Sequence, residues 1–315
     1  MPLLLKLLVA SGLTSLLLLY ASPSDIMEKL SNATLPLVLT LVPITALCML
    51  LSALQLKILT DCHGMGVSVG RLLRINATTE FYNLFLPGII AGGAIRWYRL
   101  SLHNNMRAHA LAVVSASRLL NLVILLTIGI VGWLVHDQPR STGFALWLMS
   151  GCFAMIGVGM LVFTHRPVSA RLPGGITWLQ RISPGADRQL RKLIAAVAEY
   201  RHVPPSARLA LAAYAAGGHL LLLFSTWLFC LALDISVPFG ALAWMRAILA
   251  VALMLPITIS GLGIREGAWI YFLGLYGVGP ADAFALSLLT FVRTLFQAGI
   301  GLGLEIQGMF AERRP

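Results

Sequence analysis

Apolar residues run along this chain in blocks of roughly 20, the length a helix needs to cross a bilayer at about 1.5 Å per residue. The polar positions cluster between the blocks. This pattern predicts membrane spans near 3–21, 36–58, 108–134, 142–163, 209–232 and 281–308. Two further apolar regions, 75–95 and 239–279, are interrupted by Pro, Gly and Arg and predict helices broken partway. The first block carries a single Lys and reads as a first transmembrane helix rather than a cleaved signal peptide.

The two interrupted regions carry the same motif. Leu86-Pro-Gly-Ile-Ile-Ala-Gly-Gly-Ala-Ile-Arg96 aligns without a gap on Leu255-Pro-Ile-Thr-Ile-Ser-Gly-Leu-Gly-Ile-Arg265, matching at six of eleven positions with an offset of 169 residues. Breakers followed by Arg, in corresponding places of two apolar halves, mark the discontinuous helices that build substrate sites near the membrane midplane. Basic residues in short loops set orientation. The segment 164–208 holds eight Arg or Lys against Asp187 and Glu199 and is expected in the cytoplasm. Counting spans outward puts Asp25, Glu28 and Lys29 outside, Lys57, Arg71 and Arg74 inside, and Asp137 and Asp234 outside, with both termini cytoplasmic. The first interrupted region then begins and ends on the inner side and the second on the outer side, as re-entrant hairpins of opposite sense would. The competing reading makes them full spans joined by Gly-rich turns.

The expected architecture is an all-α polytopic membrane protein of about six full spans plus two re-entrant or broken-helix hairpins in an inverted-topology repeat. A single integral membrane domain covers 1–315: a first half, 1–163, with its motif at 86–96; a cytoplasmic basic loop, 164–208; and a second half, 209–315, with its motif at 255–266. Within the loop, Asp187 to Tyr200 has the spacing of a basic amphipathic helix. Trp227, Trp244 and Trp269 read as interface belts.

Composition agrees and removes one class of function. The chain is 58% hydrophobic and 11% charged with a mean hydropathy of +0.85, against about 25% charged in soluble domains. A net charge of +11 is the positive-inside excess facing an anionic leaflet, not a nucleic-acid surface. The irregularly spaced Cys48, Cys62, Cys152 and Cys230 predict neither disulfides nor a zinc site, and no metal or cofactor is expected. No triad or nucleotide fingerprint stands out.

The charges inside the apolar blocks carry the chemistry. Arg96, Arg118, Arg265 and Arg293 each face an insertion cost of about 2.5–3.5 kcal/mol at the bilayer centre unless partners or water receive them. Nearby carboxylates, Glu80, Glu266 and Asp282, are fewer than the arginines. Adjacent helical residues do not face each other, so Arg265 and Glu266 are not expected to pair; Glu266 would instead reach across to Arg96. A cationic pocket inside a membrane suits an anionic guest, and guanidinium forks match phosphate. Glycines at 88, 92, 93, 261 and 263 would let backbone N–H groups approach it, with close helix packing as their alternative role. Glu80 and Asn83 share a helical face leading to Pro87. Arg96, Arg99 and His103 form a basic stripe toward the cytoplasm, and His219 reads as a structural histidine within a span. The expected substrate-binding set is therefore Arg96, Arg265, Glu266, Arg118, Arg293, Glu80, Asn83, Pro87, Gly92, Gly93, Pro256, Gly261 and Gly263.

The ordered set Asn83-x-x-x-Pro87, Gly92-Gly93, Arg96, Arg118-Leu-Leu, Leu255-Pro256 through Gly-Ile-Arg-Glu266 and Val292-Arg293-Thr-Leu resembles the transmembrane, flippase-type domain of lysylphosphatidylglycerol synthases over nearly the whole chain. Where family members often carry acidic residues beside the first buried Arg, this chain has Ser117 and Asn121. The resemblance implies the translocation half of the family's activity and not lipid synthesis, because the soluble aminoacyl-transferase domain is absent from these 315 residues. The expected function is movement of an anionic or head-group-modified lipid or glycolipid between leaflets of the cytoplasmic membrane. The alternatives are an integral-membrane transferase acting on a lipid-linked phosphate and a non-catalytic assembly factor for an envelope-lipid pathway. Expected partners are membrane lipid and no nucleic acid, with a second copy of the chain or envelope-lipid enzymes as protein partners.

Overall fold

The computed structural model describes residues 3–85, 89–104, 106–135, 139, 142–164, 203–254 and 261–311. Pro87, Gly88 and Pro256, and the stretch Asp187 to Tyr200, lie outside them, as does the side chain of His103.

The described residues form an all-α protein of twelve helices: α1 (Leu3–Tyr20), α2 (Pro23–Ser31), α3 (Leu35–Leu39), α4 (Leu41–Asp61), α5 (Val69–Asn83), α6 (Ile89–Asn104), α7 (Arg107–Val135), α8 (Gly143–Thr164), α9 (Pro205–Ala232), α10 (Phe239–Met254), α11 (Ile264–Gly274) and α12 (Pro280–Ala311). Four stretches are long and apolar enough to cross a membrane: Leu35–Asp61, Arg107–Val135, Pro205–Ala232 and Pro280–Gln307. α1 and α8 coincide with the other two expected spans, with shorter apolar stretches at Ser11–Tyr20 and Gly143–Gly157. Large apolar side chains such as Leu19, Leu134 and Trp147 stand exposed on the outside of the bundle, the surface hydrocarbon would cover. The chain is a multi-pass membrane protein.

Both motif copies sit where a helix stops and a second begins, between α5 and α6 and between α10 and α11. In each case the two arms pack on one another. Packing between the halves is reciprocal. α5, the first arm of the first break, lies along α12, the long helix that follows the second break; α10, the first arm of the second, lies along α7, which follows the first. α4 and α9, which precede the two breaks, pack on each other.

Small residues make the two crossed contacts possible. A β-carbon on Gly301 of α12 would stand 2.1 Å from the Ala77 carbonyl oxygen of α5. One on Gly132 of α7 would stand 2.6 Å from Cβ of Ala243 and 2.7 Å from the Gly240 oxygen of α10, and one on Gly129 would lie 2.5 Å from Cβ of Ala247. Close backbone approach through Gly and Ala is how helices associate where lipid removes the hydrophobic drive.

Two large apolar cores result, with a polar layer between them, and a smaller one gathers Ala21, Ile26 and Phe284. One gathers Leu125, Leu126, Leu223, Phe229, Trp244 and Trp269 from α7, α9, α10 and α11. The other gathers Leu56, Leu72, Leu100, Val113 and Leu211 from α4, α5, α6, α7 and α9. Trp244 and Trp269 are 0% and 2% exposed, so these two are core residues and not the interface belt their aromatic character predicts. Their helices are inner elements, and ring volume fills the space between them. Between the cores the helices turn polar. Asn76 donates to Ser52 at 3.1 Å, and Asn121 donates to Gln55 at 3.0 Å and to the Ser117 carbonyl at 2.7 Å. Ser52, Asn121, His219 and Arg293 all fall near the midpoints of α4, α7, α9 and α12, which in a spanning helix is the level of the membrane centre.

Candidate functional site

The first motif builds a polar cluster where α5, α6 and α7 meet. α5 ends at Asn83, whose side-chain amide donates to Glu80 Oε2 at 3.1 Å, one turn earlier on the same face. Glu80 Oε1 stands 3.9 Å from Nη2 of Arg96 on α6, a loose ion pair beyond hydrogen-bond distance. The motif glycines leave room for this meeting. A β-carbon on Gly92 would fall 1.7 Å from Asn83 Oδ1, and one on Gly93 would fall 2.5 Å from Cζ of Arg118. Arg118 comes from α7, about 17 Å along the helix from its start at Arg107. It lies in the electrostatic field of both Arg96 and Glu80.

Two more guanidiniums extend the cluster into the second half. Arg293, near the middle of α12, lies in the field of Glu80 and of the Cys48 thiol. Arg246, on α10, lies in the field of Arg293 and Cys48, and its Nη1 donates to Thr226 Oγ1 on α9 at 3.2 Å. Arg96 and Arg118 thus gather at Glu80 and Arg293 feels the same carboxylate, while Arg246 joins them through Arg293 rather than through Glu80. Nε of Arg96, Nε of Arg246, Oδ1 of Asn83 and Nε2 of Gln55 are buried without a hydrogen-bond partner among the described residues. Buried groups of this kind call for a ligand, an ion or water.

The second motif copy is organised differently. Arg265 and Glu266 are 8% and 1% exposed and pair with each other. Arg265 Nε also donates to Ser287 Oγ at 3.0 Å, and Cζ of Arg265 lies 4.4 Å from the centre of the Phe291 ring. Glu266 accepts from the Gly263 backbone N–H at 2.6 Å, closing the N-terminus of α11. Gly261 and Gly263 hold φ of +73° and +83°, a turn only glycine makes without strain. This corrects the expectation that Arg265 and Glu266 do not pair and that Glu266 reaches across to Arg96. Both stand in the first turn of α11, where the carboxylate folds back onto the helix start and the long Arg side chain follows it. The acid beside Arg96 is Glu80.

Of the expected residues, Glu80, Asn83, Gly92, Gly93, Arg96, Arg118 and Arg293 share the cluster, while Gly261, Gly263, Arg265 and Glu266 form the second turn. Arg246 is the residue that sequence reasoning missed. Its signal was the same as for the others: a lone charge within the apolar block Phe239–Met254. It stands nine residues before the motif, outside the duplicated stretch that marks Arg96 and Arg265. Among the described residues no group of three or more His, Cys, Asp or Glu could hold a metal ion.

The fold is that of a multi-pass helical membrane protein with reciprocal halves, two interrupted helices and arginines buried among its helices. The chain belongs to the lysylphosphatidylglycerol synthase transmembrane-region family, whose family model matches residues 3–301. That membership makes it a membrane protein of lipid metabolism or transport. No match was found among curated proteins or among solved structures.

Proposed function

We propose that this protein moves a lipid with an anionic or modified head group, or a glycolipid, between the leaflets of the cytoplasmic membrane. The observation that carries this reading is the gathering of Arg96, Arg118 and Arg293 about Glu80, with Arg246 beside Arg293, inside the bundle. Cations inside a bilayer are expensive, and Nε of Arg96 and Nε of Arg246, buried without a hydrogen-bond partner among the described residues, are donors that a head-group phosphate matches. Asn83 and the close approach at Gly92 and Gly93 position the groups that meet it. Acyl chains stay in the surrounding bilayer.

The reciprocal packing of α5 on α12 and α10 on α7 supports reading the two halves as an inverted-topology repeat. Each half lends one broken helix pair to the shared site. The Arg265–Glu266 turn fixes the second pair in place. The basic loop lies in the cytoplasm with both termini, following the positive-inside rule.

The test is reconstitution. In proteoliposomes carrying a fluorescent phosphatidylglycerol, the protein should speed leaflet exchange, and the recovered lipid should keep its mass. A product of altered mass would instead establish a transferase. Unimpaired complementation of a deletion strain by Arg96→Gln together with Arg118→Gln would establish a non-catalytic assembly role.

A further inference from the structure

The polar layer between the two large cores holds carboxamides whose hydrogen bonding is incomplete. Asn121 of α7 turns its amide nitrogen to the Ser117 carbonyl at 2.7 Å, an acceptor that fixes which end of the amide stands there. The same nitrogen donates to Gln55 Oε1 of α4 at 3.0 Å. Gln55 therefore spends its oxygen on Asn121 and keeps both N–H groups of Nε2, which is buried with no hydrogen-bond partner among the described residues. One turn earlier on the same face of α4, Ser52 accepts from Asn76 Nδ2 at 3.1 Å, and Asn76 Oδ1 is likewise buried without a partner. Gln55 and Asn76 are 2% and 3% exposed. An uncharged donor and an uncharged acceptor thus stand unmet within one turn of α4. Hydroxyl groups, donor and acceptor in one, complete such a set.

These carboxamides adjoin the arginines. Arg118 and Asn121 stand three residues apart on α7 and so share a face. His219 of α9 lies beside the Asn121 backbone and in the field of Arg246. The layer is therefore flanked by guanidiniums, and its own side chains, Ser52, Gln55, Asn76, Ser117, Asn121 and His219, include no carboxylate. Glu80 is turned to Arg96 and Asn83, and Glu266 is closed onto Arg265 and Gly263. An ammonium carried by a head group would meet positive charge here and no acid in the layer to receive it.

We infer that this layer selects the head group: it takes a phosphate lipid whose head group bears hydroxyls and no amine, a glycerol or a cyclitol, with Gln55 and Asn76 meeting the hydroxyls. The inference rests on the reading that the buried arginines hold the head-group phosphate. It does not require the lipid to cross the membrane.

The test is equilibrium binding of the detergent-solubilised full chain, followed by native mass spectrometry, to phosphatidylglycerol, phosphatidylinositol, phosphatidic acid and lysyl-phosphatidylglycerol. The tighter of the first two, which tells glycerol from cyclitol, should bind about tenfold or more above the lysyl lipid. It should also bind severalfold above phosphatidic acid, which carries the phosphate without the polyol. Gln55→Glu keeps the oxygen that Asn121 bonds, removes both N–H groups and adds a negative charge. It should weaken the hydroxylated lipid about tenfold and tighten the lysyl lipid, closing or inverting the gap. Gln55→Met, similar in volume with no amide, should weaken the hydroxylated lipid alone, and it serves where the new carboxylate prevents folding. Native protein that binds the lysyl lipid or phosphatidic acid as tightly as the hydroxylated ones, or a preference unmoved by either Gln55 variant, would overturn the inference and leave Gln55 and Asn76 to water. Binding of none of the four would overturn the phosphate reading with it. Selective binding without leaflet exchange in proteoliposomes would sink the transport reading and leave this one standing.

Discussion

Arg118 lies against Gly93 so closely that the smallest side chain would collide with it: a β-carbon there would stand 2.5 Å from Cζ and 2.7 Å from Nη2. The second glycine of the Gly92-Gly93 pair is thus the floor on which a guanidinium from another helix rests. Gly93→Ala should push Arg118 off that floor and slow lipid exchange about tenfold or more while the protein still folds. Gly143→Ala, with nothing within 4 Å of its β-carbon, is the matched control and should exchange at the native rate. Exchange kinetics on both variants, with size-exclusion profiles to certify folding, decide the matter.

Glu80 is the acid that the described cluster holds, between Arg96, Asn83 and the field of Arg293. Removing one partner of a buried ion pair leaves uncompensated charge, at about 3–5 kcal/mol when burial is complete. With Glu80 part-exposed and the pair at 3.9 Å, Glu80→Gln should cost less than that but still lower the melting temperature. Anionic lipid added to the detergent micelles should restore it more than zwitterionic lipid does, because it replaces the lost negative charge.

Arg265 and Glu266 should behave as structural residues. Glu266→Gln breaks the pair with Arg265 and weakens the closure of α11 at Gly263. A loss of about 3–5 kcal/mol is the scale for a broken buried pair. The expected result is poor yield and early thermal unfolding, with anionic-lipid affinity unchanged in whatever protein folds.

The crossed helix contacts make the sharpest packing prediction. At Gly301 the obstacle is the Ala77 backbone oxygen, which cannot rotate away. Gly301→Ala should therefore prise α12 from α5 and destabilise by about 1–3 kcal/mol or more, whereas Gly303→Ala, two residues along with open space at its β-carbon, should be neutral. Thermal melts of the two variants provide the comparison.

Much of this was legible in the chain and some was not, for physical reasons. The spans were readable because apolar runs of membrane length have few other uses, and the paired breaks were readable because Pro, Gly and Arg recur in the same order. The i, i+3 spacing of Glu80 and Asn83 put them on one face, where they hydrogen-bond. The fate of Arg265 was not readable. Helical periodicity separates it from Glu266, but side chains in a first turn can fold back toward the helix start, and only coordinates reveal that. Trp244 and Trp269 failed for another reason: hydropathy records how apolar a helix is, not whether protein or lipid surrounds it.

At the other end of the bundle, Lys29 of α2 bonds Asp282 of α12 at 2.9 Å, and that contact raises the Lys29 pKa above its ordinary value. A raised ammonium contributes its stabilisation below the unfolded lysine pKa and loses it as pH climbs through the folded one. The tie should therefore hold through neutral pH and release only in strong alkali. Melting temperatures of the native chain and Lys29→Gln should differ by a constant amount from pH 6 to about 9 and converge above the lysine range.

If the buried arginines carry the head group, leaflet exchange of fluorescent phosphatidylglycerol in proteoliposomes depends on them. Arg118→Gln and Arg293→Gln, each folded by size exclusion and thermal melt, should each cut the exchange rate about tenfold or more. Native exchange rates in both variants would contradict it.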